Sequence, residues 1–295
     1  MSLRILVVCA MLVSAQIAHA DAIRLKGGDE IHGEIVEVTA DTVVLVHPEL
    51  GRLTIARDKI EGDLKHAPSP GLFGTNFMHG WKRRIDLGLN GSQGTTISAN
   101  ATGGLNFNYK DKDKQWLLTG RYFFQRNKEG TTANNAEIAL RRDWLMRDSR
   151  WFAYGTVRYQ YDQFQSWEHR GILSTGPGYN LLKREKQTLD VRLGPAYTRD
   201  FGNQESNHAE ILWAMDYTWK PRDRIKITLS NQFYTEIGPD PGEFRNLTSA
   251  EWTVRLMENP ALDLILGGIN EYQSDLEPPD KKNNLRYYTT LGVNF

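Results

Sequence analysis

The chain has 295 residues, of which 40% are hydrophobic, 24% charged and 11% aromatic, and its formal net charge at pH 7 is zero. This balance of charge argues against a nucleic-acid-binding protein, which needs a basic face, and the aromatic content argues against disorder. Beyond residue 20 no run of about 20 apolar residues occurs, which excludes a helical membrane protein.

Residues 1–20 have the pattern of a secretory signal peptide. Arg4 gives a basic start, an apolar stretch covers residues 5–13, and Ala-His-Ala ends the segment at Ala20. We expect this segment to be removed on export, because the apolar stretch is too short for a transmembrane anchor. The chain's one cysteine, Cys9, lies here, and the residue before it is not small, which argues against lipid attachment. The mature chain is therefore expected to contain no disulfide.

Residues 21–64 form a region without Phe, Tyr or Trp that reads as short strands separated by turns. The pattern GDEIHGEIVEV, TVVLV, GRLTI and DKI resembles small SH3-like or Sm-like barrels. The apolar residues expected to fill its small core are Ile31, Ile35, Val43, Leu45, Leu53, Ile55 and Ile60. Residues 65–80 are rich in Pro and Gly and are expected to be a linker.

Residues 81–295 contain all the Trp and Tyr of the chain and alternate between apolar and polar positions. Trp213 and Trp219, for example, share one face of a segment, and Glu210 and Asp216 share the other. Strict alternation predicts half-buried strands. The predicted strands cover residues 84–92, 97–110, 114–126, 136–146, 151–162, 169–181, 187–199, 208–219, 224–236, 246–257, 262–272 and 285–295.

The connections between these strands alternate in length. Tight, charged turns are predicted at residues 111–113, 147–149, 184–186, 221–223 and 258–260. Longer polar loops are predicted at residues 127–135, 163–168, 200–207, 238–245 and 273–284. An even strand number with short turns at one end is typical of an outer-membrane barrel. Aromatic residues near strand ends fit interfacial girdles: Trp116, Trp144, Trp151, Trp219, Tyr179 and Tyr272.

The sequence therefore predicts an all-β fold: a twelve-stranded antiparallel transmembrane β-barrel preceded by a small SH3-like periplasmic module. The alternative fold is a soluble, exported β-sandwich, which would also alternate but would not need this asymmetry of turns and loops.

The last predicted strand resembles the C-terminal signal that bacterial outer-membrane barrels present to their assembly machinery. Tyr287, Leu291, Val293 and Phe295 lie on one face of it. We therefore expect outer-membrane lipid and the assembly machinery as partners.

Two longer stretches resemble the YdiY-like family, whose members are labelled salt-induced outer-membrane proteins. They are GPGYNLL, LDVRLGPAYTRDF and AEILWAMDYTWKPRDRIKITLSNQFY within residues 176–234, and the ending LEPPDKKNNLRYYTTLGVNF, in which PPDKKNN at residues 278–284 is the most specific part. The resemblance covers residues 80–295 and departs at the end, where the family has Gly-Tyr-Arg-Phe. It implies an outer-membrane barrel and brings no established activity.

If the apolar faces meet lipid, the polar faces line the lumen. The predicted lumen charges are Asp86, Arg121, Glu137, Arg141, Asp143, Arg158, Arg170, Asp190, Arg192, Glu210, Asp216, Lys226, Glu251, Arg255, Asp263, Glu271 and Arg286. Mixed signs at this density indicate ion pairs that fill a narrow interior, whereas a selective pore more often shows one dominant sign. Occlusion or low conductance is favoured, and a narrow channel stays open as the alternative.

A hydrolase is a further alternative. His169, with Ser166 and Glu168 nearby, and His208, with Ser206 and Glu210 nearby, are the candidate bases in the barrel. The other histidines lack metal-ligand spacing, and we expect no metal or cofactor.

The leading functional prediction is a non-enzymatic envelope protein, structural or adaptive to salt and osmotic conditions, with the osmotic part resting on the family resemblance. The expected location is the bacterial outer membrane. Residues 21–64 are expected in the periplasm, where they could dock a partner or the cell wall or, as an equal alternative, serve the stability or assembly of the barrel. No nucleic acid is expected to bind.

Overall fold

The computed structural model describes residues 21–38, 41–47, 49–61, 77–78, 80–92, 98–202, 205–238, 242–258, 260–274, 276 and 282–295. The predicted signal peptide, with Cys9, and most of the predicted linker lie outside these residues. Among the described residues, no helix is both long and apolar enough to cross a membrane. The contacts between residues divide the chain between Lys82 and Arg83, and the two units are described separately.

The N-terminal unit contains an antiparallel sheet in the order β1-β2-β3-β4. Its strands are β1 (Asp21–Arg24), β2 (Glu30–Val38), β3 (Thr42–His47) and β4 (Gly51–Ala56), and a short 3-10 helix (Arg57–Lys59) follows. Ile23, Val43, Leu45 and Ile60 are buried together. An isolated antiparallel bridge joins Leu25 to Ile60, which returns the chain after the helix to the end of β1.

In the second unit, twelve described strands form a closed barrel in which β16 pairs with β5. They are β5 (Lys82–Ser92), β6 (Ser98–Lys110), β7 (Lys114–Asn127), β8 (Thr131–Leu145), β9 (Trp151–Asp162), β10 (His169–Lys183), β11 (Gln187–Phe201), β12 (Ser206–Arg222), β13 (Ile225–Glu236), β14 (Phe244–Met257), β15 (Ala261–Gln273) and β16 (Asn283–Asn294). The prediction of an all-β, twelve-stranded antiparallel barrel is confirmed.

The barrel carries large apolar side chains on its outer face, and its inner face carries charged side chains together with buried apolar ones. On β12, Trp213 on the outer face is 44% exposed, whereas Leu212 and Ala214, on the inner face, are buried. Large exposed apolar residues elsewhere include Leu87, Tyr122, Ile138, Val157, Leu173, Leu193, Trp252 and Leu291. A soluble protein places such side chains in its core. This barrel instead presents them as a surface band, which is the arrangement of a barrel surrounded by lipid.

The two ends of the barrel differ in their connections. At the turn end, where β5 begins and β16 ends, the strands are joined by tight turns such as residues 111–113 and 184–186. Asp113 and Arg147 from two of these turns are hydrogen-bonded at 2.9 Å, and this bond lowers the pKa of Asp113. The opposite end, the loop end, includes the connections at residues 163–168, 237–243 and 274–282.

One predicted loop is wrong. Residues 127–135 were expected to form a long connection, but β7 extends to Asn127 and β8 already begins at Thr131. The Asn127 side chain accepts hydrogen bonds from the backbone N–H groups of Glu129 and Gly130. Gly130 adopts a φ of 149°, which favours glycine. A three-residue turn therefore replaces the loop.

Candidate functional site

The lumen of the barrel contains a cavity of about 470 Å³. Most of the predicted lumen charges line it: Arg121, Glu137, Arg141, Arg158, Asp190, Arg192, Asp216, Lys226, Glu251, Glu271 and Arg286. Asp86, Asp143, Arg170, Glu210, Arg255 and Asp263 are not part of that lining. Five of the charged residues that line the cavity are acids and six are bases, so they give the cavity no single dominant sign.

Glu251 on β14 joins three strands at one level of the lumen. Its Oε1 accepts hydrogen bonds from Arg84 Nη2 at 3.3 Å, Arg121 Nη2 at 3.3 Å and the Tyr288 hydroxyl at 3.2 Å. The Arg121 guanidinium also lies 4.2 Å from the centre of the Tyr288 ring. Because β7 and β14 are not neighbours in the barrel, the Arg121–Glu251 pair crosses the lumen.

A second cross-lumen group is centred on Asp216 of β12. Its Oδ2 accepts hydrogen bonds from Arg141 Nη1 and Arg192 Nη2, both at 2.7 Å. Arg141 also contacts Asp143 at 3.3 Å on its own strand. Since β8 and β12 are separated by three strands, Arg141 again bridges the interior. Asp190 accepts a hydrogen bond from Asn180 at 2.6 Å on the neighbouring strand β10.

A third group lies near the loop end. Arg170 donates two hydrogen bonds to Asp200, at 2.6 and 2.8 Å, and a third at 3.2 Å to Gln273 across the barrel. Arg245 contacts Glu210 at 3.4 Å, and all these side chains except Gln273 are charged. Arg170, Asp200 and Arg245 are buried, so each charge depends on its partners.

Most of the remaining predicted charges also have partners. Arg286 donates to Asn135 on β8 at 2.8 Å and to Glu271 at 3.3 Å. Glu137 accepts from Gln160 at 2.9 Å and lies 3.8 Å from Arg158.

Two further pairs lie towards the turn end. Arg255 is hydrogen-bonded to Asp263, and Asp86 accepts from Arg84 at 3.2 Å. Gly104 leaves room for Asp86, because a Cβ there would lie 2.2 Å from its carboxylate.

Apolar side chains fill another part of the interior. Phe152, Tyr154, Ile172, Ala196, Leu212, Ala214 and Tyr234 form one buried cluster on strands β9–β13. Phe152 packs over Gly178, whose absent side chain makes room for the ring. The sequence did not indicate this cluster as a unit, because its members come from five strands and meet only when those strands pair. It narrows the space that water or a solute could occupy.

The two candidate histidines have different surroundings. His169 Nδ1 is hydrogen-bonded to the Tyr159 hydroxyl at 2.7 Å, and in the described part of the chain no serine is hydrogen-bonded to His169. His208 Nε2 lies 2.8 Å from Ser206 Oγ, and its Nδ1 lies 3.2 Å from Glu236 Oε2. A hydroxyl, an imidazole and a carboxylate in this order are the parts of an acyl-transfer triad. Asp200 Oδ2, however, lies 3.3 Å from the same hydroxyl and opposes negative charge there.

Three residues of the network were not among the predicted lumen charges: Arg84, Asp200 and Arg245. Asp200 follows the predicted end of its strand, and Arg245 precedes the predicted start of its strand, so both counted as loop residues. The structure extends β11 to Phe201 and begins β14 at Phe244. Extending the alternation of each predicted strand into the neighbouring loop would have assigned both Asp200 and Arg245 to the inner face.

No group of three or more His, Cys, Asp or Glu residues suited to a metal ion occurs in the part of the chain that the structure describes. The acids of the lumen are held by arginines, as in the Glu251 and Asp216 groups.

The final strand presents its predicted assembly face to the outside. Tyr287 is 85% exposed, and Leu291 and Val293 are exposed beside it. Phe295 follows β16 and is half-buried. At the turn end of the outer surface, Trp151 and Tyr179 pack edge to face at 4.9 Å, and Trp144 and Trp219 are exposed.

Comparisons with known proteins give one family and several barrels. No curated protein matches the chain. The porin NanC in a rhombohedral crystal form is 9% identical over 72% of this chain and 98% of that chain, with a TM-score of 0.44. The outer membrane channel DcaP of Acinetobacter baumannii is 9% identical over 72% and 94%, with a TM-score of 0.31. The beta domain of the Bordetella autotransporter Brka is 8% identical over 73% and 97%, with a TM-score of 0.35. The model of the family described as "Protein of unknown function, DUF481" matches residues 85–295, and the chain belongs to this family.

Proposed function

We propose that this chain is an integral outer-membrane β-barrel protein with a non-enzymatic role in the envelope, and that side chains crossing its lumen keep it closed or poorly conducting. The observation that carries the proposal is the distribution of side chains in a closed barrel. Buried charges pair inside, and large apolar residues are exposed outside. Water solvates such an exterior poorly, whereas the hydrocarbon core of a bilayer solvates it well.

The cross-lumen contacts support occlusion. Arg121–Glu251, Arg141–Asp216 and Arg170–Gln273 each join strands that are not neighbours. A wall of paired charges offers a passing ion no dominant sign, and the apolar cluster narrows the remaining space. A solute that crossed the barrel would have to displace these pairs.

Single-channel conductance of the refolded mature chain tests this proposal. We expect no steps, or rare small ones, for the natural protein. Replacing both partners at once, Arg121→Gln with Glu251→Gln, should produce discrete steps because it removes a crossing ion pair without leaving an unpaired charge. Arg224→Gln with Glu258→Gln is the matched control, because that pair is exposed at 67% and 62%. Steps of equal size in all three proteins would contradict occlusion.

A narrow channel for small solutes is the second candidate. The cavity of about 470 Å³ favours it, because space for a small solute remains between the ion-pair groups. Frequent, large conductance steps in the natural protein would establish this function and replace the first.

A hydrolase is the third candidate, favoured by the contacts of Ser206, His208 and Glu236. A fluorophosphonate probe would label Ser206 if the histidine activates it. The hydrolase would be supported if Ser206→Ala and His208→Ala each abolish the labelling and His169→Ala leaves it intact. Equal labelling of all the proteins would reject it.

The N-terminal unit is proposed to be an SH3-like periplasmic module covering residues 21–64. Four antiparallel strands, a 3-10 helix and the Leu25–Ile60 bridge support this proposal. Since β5 begins at the turn end, the short-turn rule for outer-membrane barrels assigns that end to the periplasm. The same proposal includes a periplasmic partner and the division of the chain into a signal peptide at residues 1–20, a linker at 65–80 and a barrel domain at 81–295. Protease digestion of intact and permeabilised cells tests the location, because residues 21–64 should be cleaved only after permeabilisation.

Adaptation to salt, and assembly through the C-terminal strand, rest on resemblance. The YdiY-like resemblance supports the former, and the exposed face of β16 supports the latter. Protein levels at low and high salt, and the amount of folded barrel after Phe295→Ala, test them separately.

A further inference from the structure

Arg142 on β8 places a charge on the apolar outer surface of the barrel. Its neighbours Arg141 and Asp143 belong to the paired charges of the interior. Arg142 alternates with them and lies between Leu140 and Trp144, which are both exposed on the outside. It stands three residues before the end of β8 at Leu145, roughly 10 Å along the strand from the turn end.

Two indole rings hold this guanidinium. Its Cζ lies 4.9 Å from the centre of the Trp116 ring and 4.8 Å from that of Trp144. Trp116 is its partner on β7, and Gly155 is its partner on β9. Gly155 has no side chain, and a Cβ there would touch the Trp144 ring at 3.4 Å. The Trp144 ring therefore lies over Gly155, on the β9 side of Arg142.

Arg142 differs from the arginines of the interior in its lack of a carboxylate partner. Among the described residues, no acid lies within ion-pair distance of Arg142, and its buried Nε has no hydrogen-bond acceptor. A guanidinium on a lipid-facing surface requires a counter-charge, because its desolvation is costly. The protein provides rings that orient it but no anion that neutralises it.

We propose that Arg142, Trp116 and Trp144 bind the phosphate of a membrane glycerophospholipid, whose acyl chain lies over Leu140 and Val157 towards the middle of the barrel. This rests on the proposed membrane location. A phosphate accepts two parallel hydrogen bonds from a guanidinium, and the flanking rings restrict the guanidinium to one plane. The depth of the site agrees with a headgroup, because exposed Trp144 and Trp151 mark the same end of the surface.

Lipid retention measured by native mass spectrometry tests the site. The mature chain is reconstituted in phosphatidylglycerol vesicles, extracted in mild detergent, and compared with Arg142→Gln. Arg199→Gln is the matched control, because Arg199 also lies on the outer face of its strand, 5.1 Å from the Phe201 ring and near the loop end. We expect Arg142→Gln to lower the retained phospholipid about tenfold, since it removes the charge-assisted hydrogen bonds. Arg199→Gln should leave retention unchanged.

Three outcomes would overturn the proposal. They are equal retention in Arg142→Gln and the natural protein, equal loss in Arg199→Gln, and displacement of the lipid by excess inorganic phosphate, which would make free phosphate the ligand. Heat-modifiable mobility on gels shows whether each variant has formed a folded barrel. Insertion of a folded barrel without a retention difference rejects the lipid site alone, whereas failure of the natural protein to insert into vesicles rejects the membrane proposal itself.

Discussion

Replacing Glu251 by glutamine tests whether the ion pairs of the lumen stabilise the barrel. One oxygen of Glu251 accepts hydrogen bonds from Arg84, Arg121 and Tyr288. Glutamine keeps the shape of the side chain and removes its charge. Arg121 then loses the carboxylate with which it pairs, whereas Arg84 keeps its pair with Asp86. The two guanidinium groups face a neutral amide.

The expected cost follows from burial. The side chains of Glu251, Arg84 and Arg121 are 15%, 9% and 20% exposed. Removing one partner of a buried ion pair costs about 3–5 kcal/mol. Because the amide oxygen still accepts hydrogen bonds, we expect the lower end, about 3 kcal/mol of the free energy of unfolding.

Urea unfolding in lipid vesicles, followed by tryptophan fluorescence, measures this loss. Glu258→Gln is the control, because Glu258 is 62% exposed and pairs with Arg224 and Arg255 in a turn. Exposed pairs contribute about 0–1 kcal/mol. The double variant Arg121→Gln with Glu251→Gln should recover part of the loss, since it removes the unpaired cation.

A loss for Glu251→Gln no larger than that of Glu258→Gln would refute the reasoning. It would mean that water fills the lumen and screens its charges. The occluded barrel would then give way to the channel, so this measurement of stability separates the first two functional candidates without a conductance experiment.

Three other changes give separate tests. Arg147→Ala should raise the pKa of Asp113 towards its ordinary value, because the hydrogen bond and charge that stabilise the carboxylate are removed. The Asp113–Arg147 ion pair is therefore present at neutral pH and is lost as the pH falls through the lowered pKa of Asp113. An NMR titration of Asp113 that Arg147→Ala leaves unchanged would contradict this. Gly178→Ala should cost about 1–3 kcal/mol in the same urea titration, because its Cβ would lie 2.2 Å from the buried Phe152 ring; an unchanged midpoint would show that the ring relaxes freely. Val157→Arg should cost about 2–4 kcal/mol in bilayers, and no loss would contradict a lipid-facing surface, since Val157 is already 58% exposed.

The strands were predictable because successive side chains of a strand point to opposite faces, so apolar and polar residues alternate along any strand that has one face of each kind. Trp213 and Leu212 show it directly, one exposed and the other buried. The repeat was less informative at strand ends, where Asp200 and Arg245 were assigned to loops. At residues 127–135 the apolar residues are small and few, so the alternation ended early, and the side-chain hydrogen bonds of Asn127 determined the turn.

The sequence predicted which charged residues line the lumen, but it did not predict which of them contact each other. Periodicity assigns Arg121 and Glu251 to the polar face of their strands, but they are 130 residues apart. The stagger of strands in a closed barrel fixes the depth of each residue, and no local pattern encodes that depth. The same holds for Glu236, whose approach to His208 depends on the register of β12 and β13.

The sequence by itself determined the strands, their number and the face on which each side chain lies, because these depend on neighbours along one strand. The tertiary structure decided which charges meet. Closure of the barrel brings Arg141 to Asp216 across the lumen, and strand register brings Trp116 beside Arg142. Alternation favours an apolar residue at position 142, and the neighbouring strands show how an arginine is held there instead. Such contacts depend on how the strands pair and how the barrel closes, because each of them joins residues from two different strands.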